Sequence, residues 1–334
     1  MPVAAPDSFQ RMALQAQAPP AWLLDPGPHA DIVLSTRLRV MRNLTGHRFP
    51  HAADRAELTE IQTKVIAAAG ELEVHRTLTN AERDYLVGCR LISPEFQWTE
   101  FGRSLLLDES RTLSIMVNEE DHLRFQAVVA GWAPEVVEAL VRKGVDNLGI
   151  QVDYAWNSQW GYLASSPANA GSGIRHSAMF HLIGLAQSKR LPSVIRALAD
   201  KGMVVRGLFG ESSRAVGAFI QVSILRHVES SFTGACEYLI DEERKARREL
   251  EVAQIIDQVR RAREFAIGSR ALSLADAVRI LGWMRWAAEM GEPGCPTNVR
   301  EVDRCLTRLE IHPTLGEAIA GRQRADTIRT LLNA

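Results

Sequence analysis

The chain has 334 residues, 46% apolar and 24% charged, the proportions of a folded globular protein and not of a disordered one. Its 39 basic residues against 40 acidic ones leave a formal charge of -1, which excludes a nucleic-acid coat or a polybasic membrane anchor. The 39 bases divide into 34 Arg and 5 Lys, an excess that codon drift in a GC-rich genome spreads over whole surfaces.

Residues 1–30 contain Pro19-Pro20 and Asp25-Pro26-Gly27-Pro28, too many breakers for a packed element, and read as an arm or linker. No basic start followed by an apolar run marks a signal peptide, and no stretch reaches the roughly 18 apolar residues of a membrane span. Cys89, Cys236, Cys295 and Cys305 are scattered without CxxC spacing, so neither a zinc site nor a disulfide framework is indicated, and a cytoplasmic location is expected.

From Asp31 the pattern is α+β. Arg55 to Glu71 has Leu58, Ile61, Val65 and Ile66 at helical spacing, and Thr112 to Val117 alternates as a strand. Pro134 suits a first helical turn, with the helix ending at Gly144. Ile174 to Lys189 and Ser193 to Lys201 read as helices, and Met203 to Phe209 and Val216 to Ser223 as two strands across a turn. From Cys236 strand signals vanish, and helices are predicted over Cys236 to Phe265, Leu272 to Met290, Asn298 to Ile311 and Leu315 to Leu332. The expected division is a catalytic domain over 31–235 and an all-α domain over 236–334. Asp241 to Glu249, with acids and bases one turn apart, reads as a solvated helix face.

Four segments could carry chemistry. Asn118-Glu119-Glu120-Asp121-His122-Leu123-Arg124 puts three carboxylates at a strand end, suited to holding a base beside a cationic substrate. Gly161 to Arg175 is a small-residue loop running into the predicted helix at Ile174, where backbone N–H groups and the helix dipole would favour an anion. It lacks the Gly-Lys-Ser/Thr ending of a Walker A loop, and no GxSxG elbow surrounds Ser165 or Ser166. Val204 to Glu211 is a strand with Arg206 outward and Glu211 on its turn. Ser35-Thr36-Arg37-Leu38-Arg39 would project Arg37 and Arg39 from one face. Taken singly, ordinary surface turns and strands account for each.

In order and spacing, STRLR at 35–39, NEEDHLR at 118–124, SPANAGSGIR at 166–175 and VRGLFGE at 205–211 resemble the ATP:guanido phosphotransferase family, which includes phosphagen kinases and bacterial protein-arginine kinases. Asp31 to Ser35 and Gly161-Tyr162-Leu163 look most like the protein-arginine kinase branch. The resemblance implies a guanido-kinase core, an antiparallel sheet flanked by helices, followed by the smaller all-α C-terminal domain. It implies that Arg37, Arg39, Arg124, Arg175 and Arg206, with Ser35, bind ATP, that Glu120 is the catalytic base, and that Glu211 is a second clamp on the acceptor. Mg2+ would be held by the phosphates, with Glu119 reaching it through water.

Three departures stand out. Ser166 replaces the family cysteine, whose thiolate would place negative charge beside the guanidinium. Val222-Ser223-Ile224 replaces Ile-Ser-Asn. Ala320-Gly321 precede Arg324-Ala325 where the protein-arginine kinases carry Arg-Asp in a phosphoarginine-reading motif. A literal Cys295-Pro296-Thr297-Asn298 reads as coincidence. Phosphagen kinases also carry a helical domain before the first motif, whereas 34 residues precede Ser35 here. A bulky acceptor, arginine on a protein, therefore fits best; a kinase of a free guanidino compound and a weakened kinase retained as a binding module stay open. The implied partners are protein substrates, an activator protein, a Clp-type chaperone-protease and a second copy of the chain, with no nucleic acid and no membrane.

Overall fold

The computed structural model describes residues 19–97, 100–208, 215–224, 229–309 and 316–333. In chain order the elements are β1 (Val33–Arg42), α1 (Arg55–Ala67), β2 (Glu73–His75), α2 (Asn80–Gly88), β3 (Ser104–Leu107), β4 (Leu113–Val117), β5 (Leu123–Ala130), α3 (Pro134–Gly149), β6 (Trp156–Asn157), β7 (Gly161–Tyr162), β8 (Ile174–His181), α4 (Ile183–Gln187), α5 (Leu191–Asp200), β9 (Met203–Gly207), β10 (Phe219–Ile224), α6 (Glu229–Arg248), α7 (Val252–Gly268), α8 (Leu274–Met290), α9 (Val299–Leu306) and α10 (Glu317–Leu332). Eight strands form one sheet in the order β2-β3-β4-β5-β1-β8-β10-β9, every pairing antiparallel. The fold is thus α+β, an antiparallel sheet flanked by helices, and after β10 the described residues form helices alone.

The two faces of the sheet differ because side chains alternate along each strand. On one face Leu38, Val40, Ile115 and Phe125 pack against Ile61 and Val65 of α1 and Val137 and Val141 of α3. Farther along that face, Phe180, Ile220 and Val222 meet α5 and the Phe232, Cys236 and Leu239 row of α6. The other face has an apolar cap at each end. Trp22, Leu86, Leu91 and Phe96 cover Leu105, Leu107 and Met116, while Val259, Leu281 and Met284 of the C-terminal helices share a core with Met179 and Phe219. Between these caps the face is polar.

Several sequence expectations are corrected. Ile174 to Lys189 is not one helix but strand β8 followed by the short α4. Its last six strand residues are buried, so the alternation of a half-exposed strand is missing, and pairing to β1 and β10 on both sides overrides the helical preference of Ala178 and Met179. Gly144 does not end its helix, which runs on to Gly149. It is there for packing, since a Cβ at this position would sit 2.9 Å from Leu113 Cδ2. The predicted Cys236 to Phe265 helix is two, α6 and α7, broken after Arg248. Val216 to Ala218 is a 3-10 turn, and the strand begins at Phe219. Within the expected arm, Trp22 is buried and its indole N–H donates to the Cys89 carbonyl at 3.1 Å. Asn298 of the coincidental CPTN is a helix cap, its side chain accepting from the Arg300 amide.

Candidate active site

Register brings the arginines together. Arg37 stands opposite Ser177, Arg39 opposite Arg175 on β8 and Gln126 on β5, and Met41 opposite Arg124. Across β8 and β10, Met179 stands opposite Gln221, and Gln221 opposite Arg206. Directly opposed residues share a face and residues two apart on a strand do too, so Ser35, Arg37, Arg39, Arg124, Arg175 and Arg206 all lie on the polar face. The two-residue spacing in STRLR already pointed to this for Arg37 and Arg39; the other three are gathered by strand pairing.

So many like charges cannot be neutral to one another. Burial, then repulsion by Arg124, Arg90 and Arg175, pushes the Arg37 guanidinium down to about 9. Arg39 is driven well below its ordinary value by burial and by Arg37, Arg124 and Arg175, against a weaker opposing pull from Glu119. Arg175 is lowered by burial and by Arg206 and Arg124. Arg37 is oriented by Ser177 Oγ at 3.1 Å and Gln221 Oε1 at 3.0 Å, whereas the buried Nε atoms of Arg39 and Arg124 have no partner. Among the described residues, Glu119 and Glu120 are the carboxylates beside these five guanidinium groups. This preorganised donor set matches a polyphosphate, whose oxygens take bidentate guanidinium forks.

Arg90 is the sixth, and sequence reasoning missed it. It stands on a loop in the left-handed region, φ 63°, and the sheet face fixes that loop: Gln126 donates to the Arg90 carbonyl at 2.5 Å and Ser114 to the Leu91 carbonyl at 2.6 Å. With Ser35, Arg37, Ser177 and Gln221 it lines a small cleft. No local motif marks it, because its place comes from contacts far away in sequence.

The acidic segment is the β4–β5 hairpin. Asn118, at φ 55°, anchors it by donating to the carbonyls of Leu58 at 3.0 Å and Gly102 at 2.8 Å. Glu119 is buried and accepts from Arg124 at 2.9 and 3.0 Å and from Ser93. Burial pushes its pKa up, but Arg124 and these hydrogen bonds outweigh burial and hold it below the usual value. Glu120, next along, is exposed, and partial loss of solvent around its carboxyl, together with Asp121 and Glu119, raises its pKa against the pull of Arg124 and Arg175. Adjacent carboxylates are therefore pushed apart, one fixed as an anion and the other poised to take a proton.

Asp121 and His122 hold the small-residue loop against this hairpin. Asp121 Oδ1 accepts from Asn43 at 2.7 Å and from the Ser165 amide at 2.6 Å, and Ser165 Oγ donates to the Glu120 carbonyl at 2.7 Å. Asn43 also donates to the Leu163 carbonyl at 3.0 Å and accepts from the His122 amide at 2.9 Å. His122 Nδ1 accepts from the Leu44 amide and Nε2 faces the Arg48 carbonyl, which fixes a neutral ring. This network, visible in sequence only as letters inside two motifs, puts Ser166 one residue from the Glu120 contact. Behind it, Gly173 at φ 69° leads into β8, and a Cβ there would fall 2.6 Å from the Met41 carbonyl. The loop meets a strand and not a helix N-terminus, so anion binding here rests on the arginines. Glu211 lies outside the described residues.

The sequence profile of the ATP:guanido phosphotransferase C-terminal catalytic domain matches residues 56–240. The chain belongs to this family. A protein-arginine kinase of Halothermothrix orenii is 34% identical over 290 residues, covering 81% of this chain and 82% of its own. Among solved structures, a lombricine kinase superposes with TM-score 0.58 at 21% identity, over 71% of this chain and 73% of that one. The duplicated taurocyamine kinase of Schistosoma mansoni gives 0.59 at 22% identity; the match covers 69% of this chain and 36% of that longer chain. At such identities the structural likeness speaks for the fold.

Proposed function

We propose that this protein transfers the γ-phosphoryl group of ATP to the guanidinium of arginine residues in proteins. The observation that carries the reading is the polar sheet face itself: arginines without enough counter-charge, ending at a hairpin whose exposed glutamate has a raised pKa. The family and the protein-arginine kinase relative support it.

Phosphoryl transfer needs positioning and charge stabilisation more than covalent help. Arg37, Arg39, Arg124, Arg175 and Arg206, with Ser35 and Arg90, clamp the triphosphate, and Glu119 holds Arg124 in place. Mg2+ would be carried in by ATP and held by its phosphates, with Glu119 reaching it through water. The acceptor guanidinium lies against Glu120, which removes its proton as the N–P bond forms and the bond from the γ-phosphorus to the β–γ bridging oxygen breaks to release ADP, and Glu211 serves as the second carboxylate. Ser166 sits where a thiolate would add negative charge.

The catalytic unit on this reading is 31–235, with 236–334 docked on it as a helical unit. Among the described residues no helix is long and apolar enough to cross a membrane. The reading places the protein in the cytoplasm. An activator protein, a Clp-type chaperone-protease and a second copy of the chain are the partners the reading brings with it.

The test is incubation with Mg-ATP, an unfolded protein and free arginine, followed by mass spectrometry for acid-labile phosphoarginine in each fraction. Product on protein is expected; product on free arginine alone indicates a small-molecule kinase, and none in either a binding module. Glu120→Gln should cost about 10² to 10⁴-fold in rate with ATP affinity kept, and wild-type turnover in that variant would sink the assignment. Because the Glu120 pKa is raised, the base form and the rate are lost as pH falls through a value above the ordinary glutamate range. Initial rates of ADP release across pH 4 to 8 check the position of that limb.

A further inference from the structure

The strands β6 and β7 form a small hairpin standing apart from the main sheet. At its two ends are Trp156 and Trp160, 60% and 61% exposed. Large aromatic surface in water is unfavourable, and aromatic residues held rigidly at a surface are the usual anchors of binding. The turn is ordered, since Asn157 Oδ1 accepts from the amides of Gln159 at 2.9 Å and Trp160 at 3.3 Å.

The base of this hairpin is hydrogen-bonded into the acceptor side of the site. The Leu163 amide donates to the Ala155 carbonyl at 2.9 Å, the Ala155 amide donates to the Asn43 carbonyl at 2.7 Å, and Tyr162 pairs with Gly171. Tyr162 is held by Arg42, whose guanidinium lies 3.6 Å from its ring centroid. Two residues beyond Leu163, Ser165 bonds to the Glu120 carbonyl. Trp156 thus follows a residue hydrogen-bonded to Leu163, and Leu163 is two residues before the serine that bonds to the Glu120 backbone carbonyl.

We infer that Trp156 and Trp160 form a docking platform for the unfolded polypeptide segment that carries the acceptor arginine, gripping apolar, aromatic or second arginine side chains near it in sequence. This rests on the proposed arginine-phosphorylating role of the site. An extended segment presenting one arginine to Glu120 must run past a neighbouring surface, and this hairpin is continuous with the acceptor loop. Indole faces take both apolar groups and guanidinium groups, the latter by cation–π attraction.

The experiment titrates fluorophore-labelled, reduced and carboxymethylated α-lactalbumin, a permanently unfolded probe, with each protein and reads anisotropy without ATP. Trp156→Ser/Trp160→Ser should weaken Kd by about tenfold or more, and Trp156→Phe/Trp160→Phe should stay within about threefold of wild type. In turnover, the ratio of kcat/KM for this protein to that for a capped Gly-Arg-Gly peptide should fall in the serine variant, through KM. Equal affinity of wild type and serine variant, no binding by wild type, or equal loss on protein and peptide would overturn the platform. Absence of phosphoarginine on every substrate would instead defeat the kinase reading, and the anisotropy comparison would still decide the docking.

Discussion

Two groups of arginines in this chain have opposite surroundings. Where the C-terminal helices meet the start of β1, Arg285 donates to Asp303 at 2.9 Å and to the carbonyls of Asp31 and Ala30, and Arg300 donates to Asp303 at 3.0 Å and to the Leu34 carbonyl at 3.1 Å. Both side chains and Asp303 are sealed from water. On the polar sheet face, Arg37, Arg39, Arg124, Arg175 and Arg206 have Glu119 and Glu120 beside them among the described residues, and the buried Nε atoms of Arg39 and Arg124 have no hydrogen-bond partner. The junction also leaves Nε and one terminal nitrogen of Arg300 unpaired, but there a carboxylate sits between the two cations. What separates the two groups is how much positive charge is left over among the described residues: two cations around one carboxylate at the junction, five cations beside two carboxylates on the sheet face.

That contrast can be broken most forcefully at Asp303. Asp303→Ala leaves two buried cations without their anion and should cost about 3 to 5 kcal/mol of stability, read from urea unfolding, while the folded fraction keeps its kcat. A loss well under 1 kcal/mol would place the junction in the same class as the site. At the site the expectation reverses: Arg39→Ala relieves repulsion and should not lower stability without nucleotide. Mg-ATP at about a hundred times Kd should stabilise wild type by about 2.7 kcal/mol, or about 4 °C in Tm for a chain of this size. Arg39→Ala should lose that shift, and Asp303→Ala should keep it. Calorimetry of the three proteins with and without nucleotide decides. The smallest effect is expected at Ser166. Ser166→Cys should raise the rate by less than about tenfold, the worth of 1.4 kcal/mol, and an unchanged or lower rate would remove the missing thiolate as a limit on catalysis.

Much of this was legible in the sequence because the motifs lie on strands whose facing rule is simple. Arg37 and Arg39 share a face by their spacing, and the acidic run did sit at a strand end. What was not legible came from outside the local pattern. Strand β8 looked helical because a strand buried between two others shows no alternation, and with it the helix-dipole argument for the loop lapsed. Gly144 resembled a helix stop because the need it serves is a neighbour's side chain, Leu113, on another element. Arg90 was invisible for a similar reason: Gln126 and Ser114, more than twenty residues away, put it where it stands.

The carbonyls of Ala30, Asp31 and Leu34, held by Arg285 and Arg300, have a consequence for how the enzyme fails. The strand that begins there carries Ser35, Arg37 and Arg39, so its leading end is moored by helices that contribute no residue to the site. Loosening of α8 and α9 alone would then free the start of β1 and disturb the arginine-lined face although its own residues are all intact.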